Sequence, residues 1–329
     1  MGFIISSGLL KMTDNDKLEF YNHATEKVYF YIESKFWSKL TNNQFQKWLN
    51  NFKSPDEKYC AAKLLDRFVY YSEEDIIQLL KYGLHELLIR VNHISIEVKN
   101  NFNTEENELA TLKQEFVKTT AFIPLNSGNP TESGNIIASY LCKEHGVPEE
   151  NVLNAMKLTS DMLLKYQNII IVDDFIGSGD QIISFWSDDD VILDGNHKKM
   201  YEIANEYQNI NFKYFCLVTT EEGYNNFYSE GLHHNQKLDI IYCEKLKTKF
   251  KIFGENSVYF DNDEKDACKM IIENICKING INLLGHKGLD YAIAFHHSIP
   301  DASLPLFYEQ KNSWNYLFRS KLTKELTNV

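Results

Sequence analysis

One stretch limits what this chain can fold into more than any other: Asn168-Ile169-Ile170-Ile171-Val172-Asp173-Asp174-Phe175-Ile176-Gly177-Ser178-Gly179-Asp180-Gln181. The β-branched run Ile169 to Val172 reads as a strand. Two adjacent acids, a Gly-Ser-Gly turn and the apolar residues Ile182, Ile183, Phe185 and Trp186 then read as a loop and a helix start. Small residues at such an elbow let backbone N–H groups surround an anion, and the helix dipole adds partial positive charge there. The carboxylates of Asp173 and Asp174 precede that cradle. They are suited to accept hydrogen bonds from two neighbouring ribose hydroxyls or to hold a hydrated Mg2+.

The same rhythm runs on both sides of this elbow. Residues 120–125 read as a strand, with a helix opening at Ser133-Gly134 and closing at His145-Gly146. A helix over 197–207, a strand over 212–218, a helix over 221–230 and a strand over 238–243 follow. Strands alternating with helices predict an α/β domain with a Rossmann-like parallel sheet, whose ligands bind at the C-terminal strand ends. Residues 15–118 carry helical signals and no strand, among them Ser54-Pro55-Asp56-Glu57 and Ser72-Glu73-Glu74-Asp75 as helix starts. The expected division is a helical N-terminal lobe over 1–118 and the α/β domain over 119–329.

Composition excludes several classes. With 46 acids against 34 lysines and arginines, the net charge of −12 disfavours direct nucleic-acid binding without a partner. The densest basic segment, 245–251, reads as a solvated loop, with contact to phosphate or nucleic acid as the second reading. Six scattered cysteines without metal-ligand spacing fit reduced core positions, hence a cytoplasmic protein. No segment has the length and apolarity of a membrane span or the pattern of a signal peptide. Tyr29, Phe30, Tyr31, Phe36 and Trp37 read as a packing or partner surface.

The elbow resembles the ribose-5-phosphate signature of type I phosphoribosyltransferases: a strand, two acids, three variable residues, then a hydroxyl residue and glycine. Its form here, Asp173 to Gly179, is similar to that of phosphoribosyltransferase-like proteins of bacterial conflict and anti-phage loci, the PRTase-CE family, some encoded beside retron reverse transcriptases. Residues 48–52, Phe122-Ile123-Pro124-Leu125 with Ser133-Gly134, and 284–319 resemble the same family, so the likeness runs from about 45 to 320.

The resemblance implies Asp173 and Asp174 as ribose-binding and catalytic acids, with magnesium beside them. It implies Gly177, Ser178, Gly179, Asp180 and Gln181 as the phosphate loop. Ser127, Gly128, Ser133 and Gly134 would receive pyrophosphate, with Arg319 as a phosphate clamp and His297 as a catalytic group. Asp180 stands where the enzymes carry a small neutral residue, and Glu132 where these relatives carry lysine. The implied ligand is phosphoribosyl pyrophosphate or a ribose-5-phosphate nucleotide, and the implied role is a defence effector acting at ribose C1. Two other roles stay open: a nucleotide sensor without turnover, and an assembly subunit for a reverse transcriptase or another defence-system partner.

Overall fold

A computed structural model describes residues 12–99, 101–103, 106–125, 133–230, 238–311 and 313–319. In chain order the elements are α1 (Asp14–Glu33), α2 (Asn42–Leu49), α3 (Pro55–Asp66), β1 (Val69–Tyr71) and α4 (Glu73–Tyr82). A π-helical segment, Gly83–Ile89, leads into α5 (Arg90–Lys99), α6 (Glu106–Lys118), β2 (Thr120–Pro124), α7 (Ser133–His145) and the single turn α8 (Ser160–Leu163). Then come β3 (Asn168–Ile176), α9 (Asp180–Ser187), the hairpin β4 (Val191–Leu193) and β5 (Asn196–Lys198), α10 (Met200–Glu206) and β6 (Asn211–Thr220). The chain continues through α11 (Glu221–Glu230), β7 (Leu238–Leu246), α12 (Asn262–Asn279) and β8 (Ile293–Phe295). Among the described residues no helix is long and apolar enough to cross a membrane.

Two compact units form, one from residues 1–73 and 247–329, the other from 74–246. By compactness the chain therefore parts at 73/74 and 246/247 rather than at 118/119.

In the first unit, helices α1, α2, α3 and α12 share an aromatic core. Trp48 stacks on Phe307, Phe52 meets Trp314 edge-on, and both indole N–H groups donate to the Leu306 carbonyl, at 3.1 and 3.0 Å. Tryptophan is buried here at no polar cost because each N–H has an acceptor. Helix α3 starts as its sequence dictates, with Ser54 as cap, Pro55 in the first turn and Glu57 closing the capping box. Trp37 is buried, whereas Phe30 and Phe36 lie on the surface. One expectation fails: residues 69–71 are a strand, pairing parallel with β8 through Val69↔Ile293 to Tyr71↔Phe295. A three-residue strand is stabilised by a partner far along the chain, which local spacing does not reveal.

The second unit is the expected α/β class. Its sheet has the order β2-β3-β6-β7, and all three pairings are parallel. Every residue of β3 is buried, which is why Ile169 to Val172 shows no polar alternation. Each of these side chains contributes about 1.5–3 kcal/mol by leaving water. Ile169, Ile171, Tyr214, Cys216 and Ile240 pack with Ile182, Phe185, Trp186, Ile203 and Phe227 of the covering helices. Gly83 of the π-helical segment meets the sheet so closely that a Cβ there would sit 2.2 Å from the Phe215 ring. The expected helix over 197–207 begins only at Met200. Residues 196–198 instead form β5, which turns back on β4 through Asp194 and Gly195, both at positive φ. Asp-Gly is the dipeptide a two-residue hairpin turn requires.

Candidate functional site

The two acids are the sixth and seventh of the nine residues of β3, buried in the sheet that supports them. Asp173 pairs with Cys216 of β6, and its carboxyl faces Tyr214 and the start of α7. Its Oδ1 accepts the Ser133 hydroxyl at 2.6 Å and the Asp174 backbone N–H at 2.9 Å, and its Oδ2 accepts the Tyr214 hydroxyl at 3.4 Å. Burial first, and then the charge of the neighbouring Asp174, push the Asp173 carboxyl well above the usual carboxylate range. The hydrogen bonds from Ser133 and from the Asp174 backbone oppose that shift without cancelling it. Asp173 is thus a buried acid with both oxygens engaged by the protein. Tyr214, wholly buried beside it, is likewise raised by burial and then by Asp173. No sequence signal marked Tyr214; only the register of β6 against β3 brings it to the acid.

Beyond β3 the chain makes a tight loop. Gly179 caps α9 with φ +88°, a left-handed backbone that favours glycine. The Ser178 hydroxyl accepts the Asp180 N–H at 3.3 Å, while Asp180 and Gln181 form the first turn of α9. The loop rests on α11. Thr220 donates its hydroxyl to the Gly177 carbonyl at 2.6 Å and accepts the Gly223 N–H at 2.9 Å. Asn226 donates to the Ser178 carbonyl at 3.0 Å. A Cβ on Gly223 would sit 2.3 Å from the Gly177 oxygen, and one on Gly179 would sit 2.8 Å from the Gly223 oxygen, so the Gly223 backbone is in contact with those of Gly177 and Gly179. The pair Thr219-Thr220, which the sequence presents as a plain helix cap, therefore holds the loop through Thr220. The Gly177 and Ser178 carbonyls are thus held by Thr220 and Asn226, and the loop follows the C-terminal end of β3, where parallel sheets bind their ligands.

The other expected residues fall as follows. Ser133 spends its hydroxyl on Asp173. Gly134 is held by packing, since a Cβ there would meet the Leu125 oxygen at 2.4 Å and the Val172 oxygen at 2.9 Å. Ser127, Gly128 and Glu132 lie outside the described residues. His297, half-buried after β8, belongs to the first unit and lies 5.8 Å from the Phe295 ring. Its neighbour His296 contacts the Ser38 hydroxyl at 3.0 Å and Glu73 at 3.7 Å, and burial leads the lowering of its pKa. Arg319 is exposed in the first unit. Lys245 is part of β7, opposite Thr219, and not of a loop, while Lys251 lies 3.6 Å from Asp290.

The acids differ in their fitness for a metal. Asp173, buried and engaged at both oxygens, does not fit as a Mg2+ ligand. Asp174, also buried, is a carboxyl of the kind that suits a Mg2+ held mainly by phosphate oxygens and water. Among the described residues no cluster of three or more His, Cys, Asp or Glu side chains gathers to hold an ion.

A parallel sheet whose strand β3 carries paired acids into a glycine-bounded loop and helix is the framework of a phosphoribosyltransferase-like α/β protein. The sequence profile of the PRTase-CE family matches residues 45–319, and the chain belongs to that family. No curated protein matches the chain. Among solved structures, orotate phosphoribosyltransferase from Aeropyrum pernix is similar at 13% identity and a TM-score of 0.23. That match takes in 40% of this chain and 62% of the enzyme's length. The AQ2163 protein from Aquifex aeolicus is similar at 13% identity and a TM-score of 0.26, over 64% of this chain and 86% of its own.

Proposed function

We propose that the second unit binds the ribose 5-phosphate group of phosphoribosyl pyrophosphate or of a nucleotide. In this reading the 5-phosphate sits on the N–H groups of the 177–181 loop, and Asp174 accepts from the ribose hydroxyls. Asp173 holds Ser133 and the backbone of Asp174 in place. The observation that carries the reading is the loop itself: Gly179 in a left-handed conformation at the start of α9, directly after a buried acid pair and anchored from below by Thr220, Gly223 and Asn226.

Fixed hydrogen bonds at both ends of the sugar would hold C1 toward an incoming group and favour the oxocarbenium-like state in which the C1 bond is stretched. Bound magnesium would supply positive charge to departing phosphate, with Asp174 as the protein group able to hold it. Membership of the PRTase-CE family, and the resemblance of that family to proteins of anti-phage loci, support a role as a nucleotide-acting defence effector. Calorimetric titration with phosphoribosyl pyrophosphate, ribose 5-phosphate and nucleotides, followed by chromatography, tests the reading. Saturable binding is expected; absence of binding to all of them would refute it.

A second reading is favoured by Asp180 in the first turn of α9, a carboxylate at the proposed phosphate. It is a sensor that binds nucleotide without turnover, working within an assembly that includes a reverse transcriptase or another defence subunit. Binding without new products selects it.

A further inference from the structure

The proposed phosphate loop has no cation of its own. Neither residues 168–187 nor residues 219–230 contain a lysine or arginine. Asp180 lies in the first turn of α9, and Glu221 and Glu222 lie in that of α11, so the helix starts at this edge carry only negative side chains. An anion seated there would have carboxylates and no cation among these residues as neighbours.

The edge strand supplies a cation. Lys245 stands near the C-terminal end of β7, in register with Thr219, one residue before the threonine whose hydroxyl holds Gly177. Its ammonium lies 3.4 Å from the centroid of the Tyr224 ring and 4.9 Å from that of Tyr242. Tyr224 directly follows Gly223, the glycine packed against Gly177 and Gly179. The ring that holds the lysine thus follows directly the glycine that packs on the loop. Aromatic faces attract an ammonium through their quadrupole but leave its charge and its outward N–H donors unspent. Lys245 is half-buried, and among the described residues no carboxylate pairs with it, in a protein with a net charge of −12.

We propose that Lys245 is the cation of this site, held by Tyr224 and Tyr242 and donating to the phosphate of a ribose-phosphate ligand seated on the 177–181 loop. The inference rests on the phosphate-loop reading above. It moves the positive charge from the loop, where the related proteins carry lysine and this chain has Glu132, to the neighbouring edge strand.

The test is titration of the full chain with ribose 5-phosphate and with ribose at two salt concentrations, using Lys245→Met and Lys245→Arg. For ribose 5-phosphate, Lys245→Met is expected to weaken affinity by about tenfold and flatten its salt dependence, while Lys245→Arg retains most of it. Affinity for ribose itself is unchanged. Should Lys245→Met fail to fold, amine acetylation of the wild type decides: ligand is expected to protect Lys245, and an unprotected Lys245 at saturation overturns the inference. Equal affinity in wild type and Lys245→Met, with only a lowered melting point, would reduce Lys245 to a staple between α11 and β7 and overturn it while leaving the loop reading intact. Absence of ribose 5-phosphate binding in the wild type would overturn the loop reading and this inference together.

Discussion

The Ser133 hydroxyl donates to Asp173 Oδ1 at 2.6 Å, tying the first residue of α7 to the acid inside β3 across 40 positions of sequence. The bond is buried, so removing its donor leaves an acceptor short of a partner where water does not replace it. Ser133→Ala is expected to destabilise the second unit by about 1–3 kcal/mol. Urea unfolding followed by fluorescence measures it, and an unchanged midpoint would show that the bond is not formed in solution.

Asp173 also sets a pH dependence. A carboxyl whose folded pKa is raised above its unfolded value stabilises the fold fully below the unfolded value, about 3.9, and loses that contribution as pH rises toward the folded one. Asp173→Asn mimics the protonated acid and can keep both donors on its amide oxygen. The advantage of Asp173→Asn over the wild type is therefore expected to grow from pH 5 to pH 8 in thermal melts. A mutant that loses ground over that range would mean that Asp173 is ionised in the fold.

Much of this was legible in the sequence, for identifiable reasons. The run Ile169 to Val172 announces a buried strand because a parallel strand covered on both faces has no polar side to show. Helix 221–230 matches its spacing to the residue. The Asp194-Gly195 turn dipeptide was equally visible, but the helix expected over 197–207 took in His197 and Lys198 of the second hairpin strand. Other features depend on pairing across long distances. Tyr71 finds Phe295, Tyr214 reaches Asp173 and Gly223 meets Gly177 only once the strands and helices are in register. Spacing placed the acids together but could not tell that one is engaged by Ser133 and Tyr214.

Gly223 carries the loop. A Cβ there would fall 2.3 Å from the Gly177 oxygen and 2.7 Å from Ile176 Cγ2, so Gly223→Ala must push the loop off α11. Loss of ribose 5-phosphate affinity by about tenfold or more is expected, together with about 1–3 kcal/mol of stability. Isothermal titration reads the first and urea unfolding the second; wild-type affinity in Gly223→Ala would break the link between α11 and the loop.

The cysteines yield a relationship that their scattered spacing conceals. Cys60 of α3 and Cys268 of α12 bring their sulfurs to 2.7 Å, both wholly buried, and burial holds the Cys60 thiol well above its ordinary pKa. The folded pair is therefore slow to react. Refolding with diamide, which is reduced to the hydrazine as the two thiols lose their hydrogens, is expected to yield an intramolecular disulfide seen as two hydrogens lost in intact mass. Cys60→Ser abolishes that product. Recovery of both thiols free after oxidative refolding would contradict the packing of α3 on α12.

Asp173 and Asp174 divide the labour of the proposed site, and calorimetric titration of phosphoribosyl pyrophosphate with magnesium into wild type, Asp173→Asn and Asp174→Asn tests that division most directly. The expected result is saturable binding to the wild type, near-wild-type affinity in Asp173→Asn, and a loss of about tenfold or more in Asp174→Asn. Binding that survives in Asp174→Asn and disappears in Asp173→Asn would contradict the account, and so would a wild type that binds nothing.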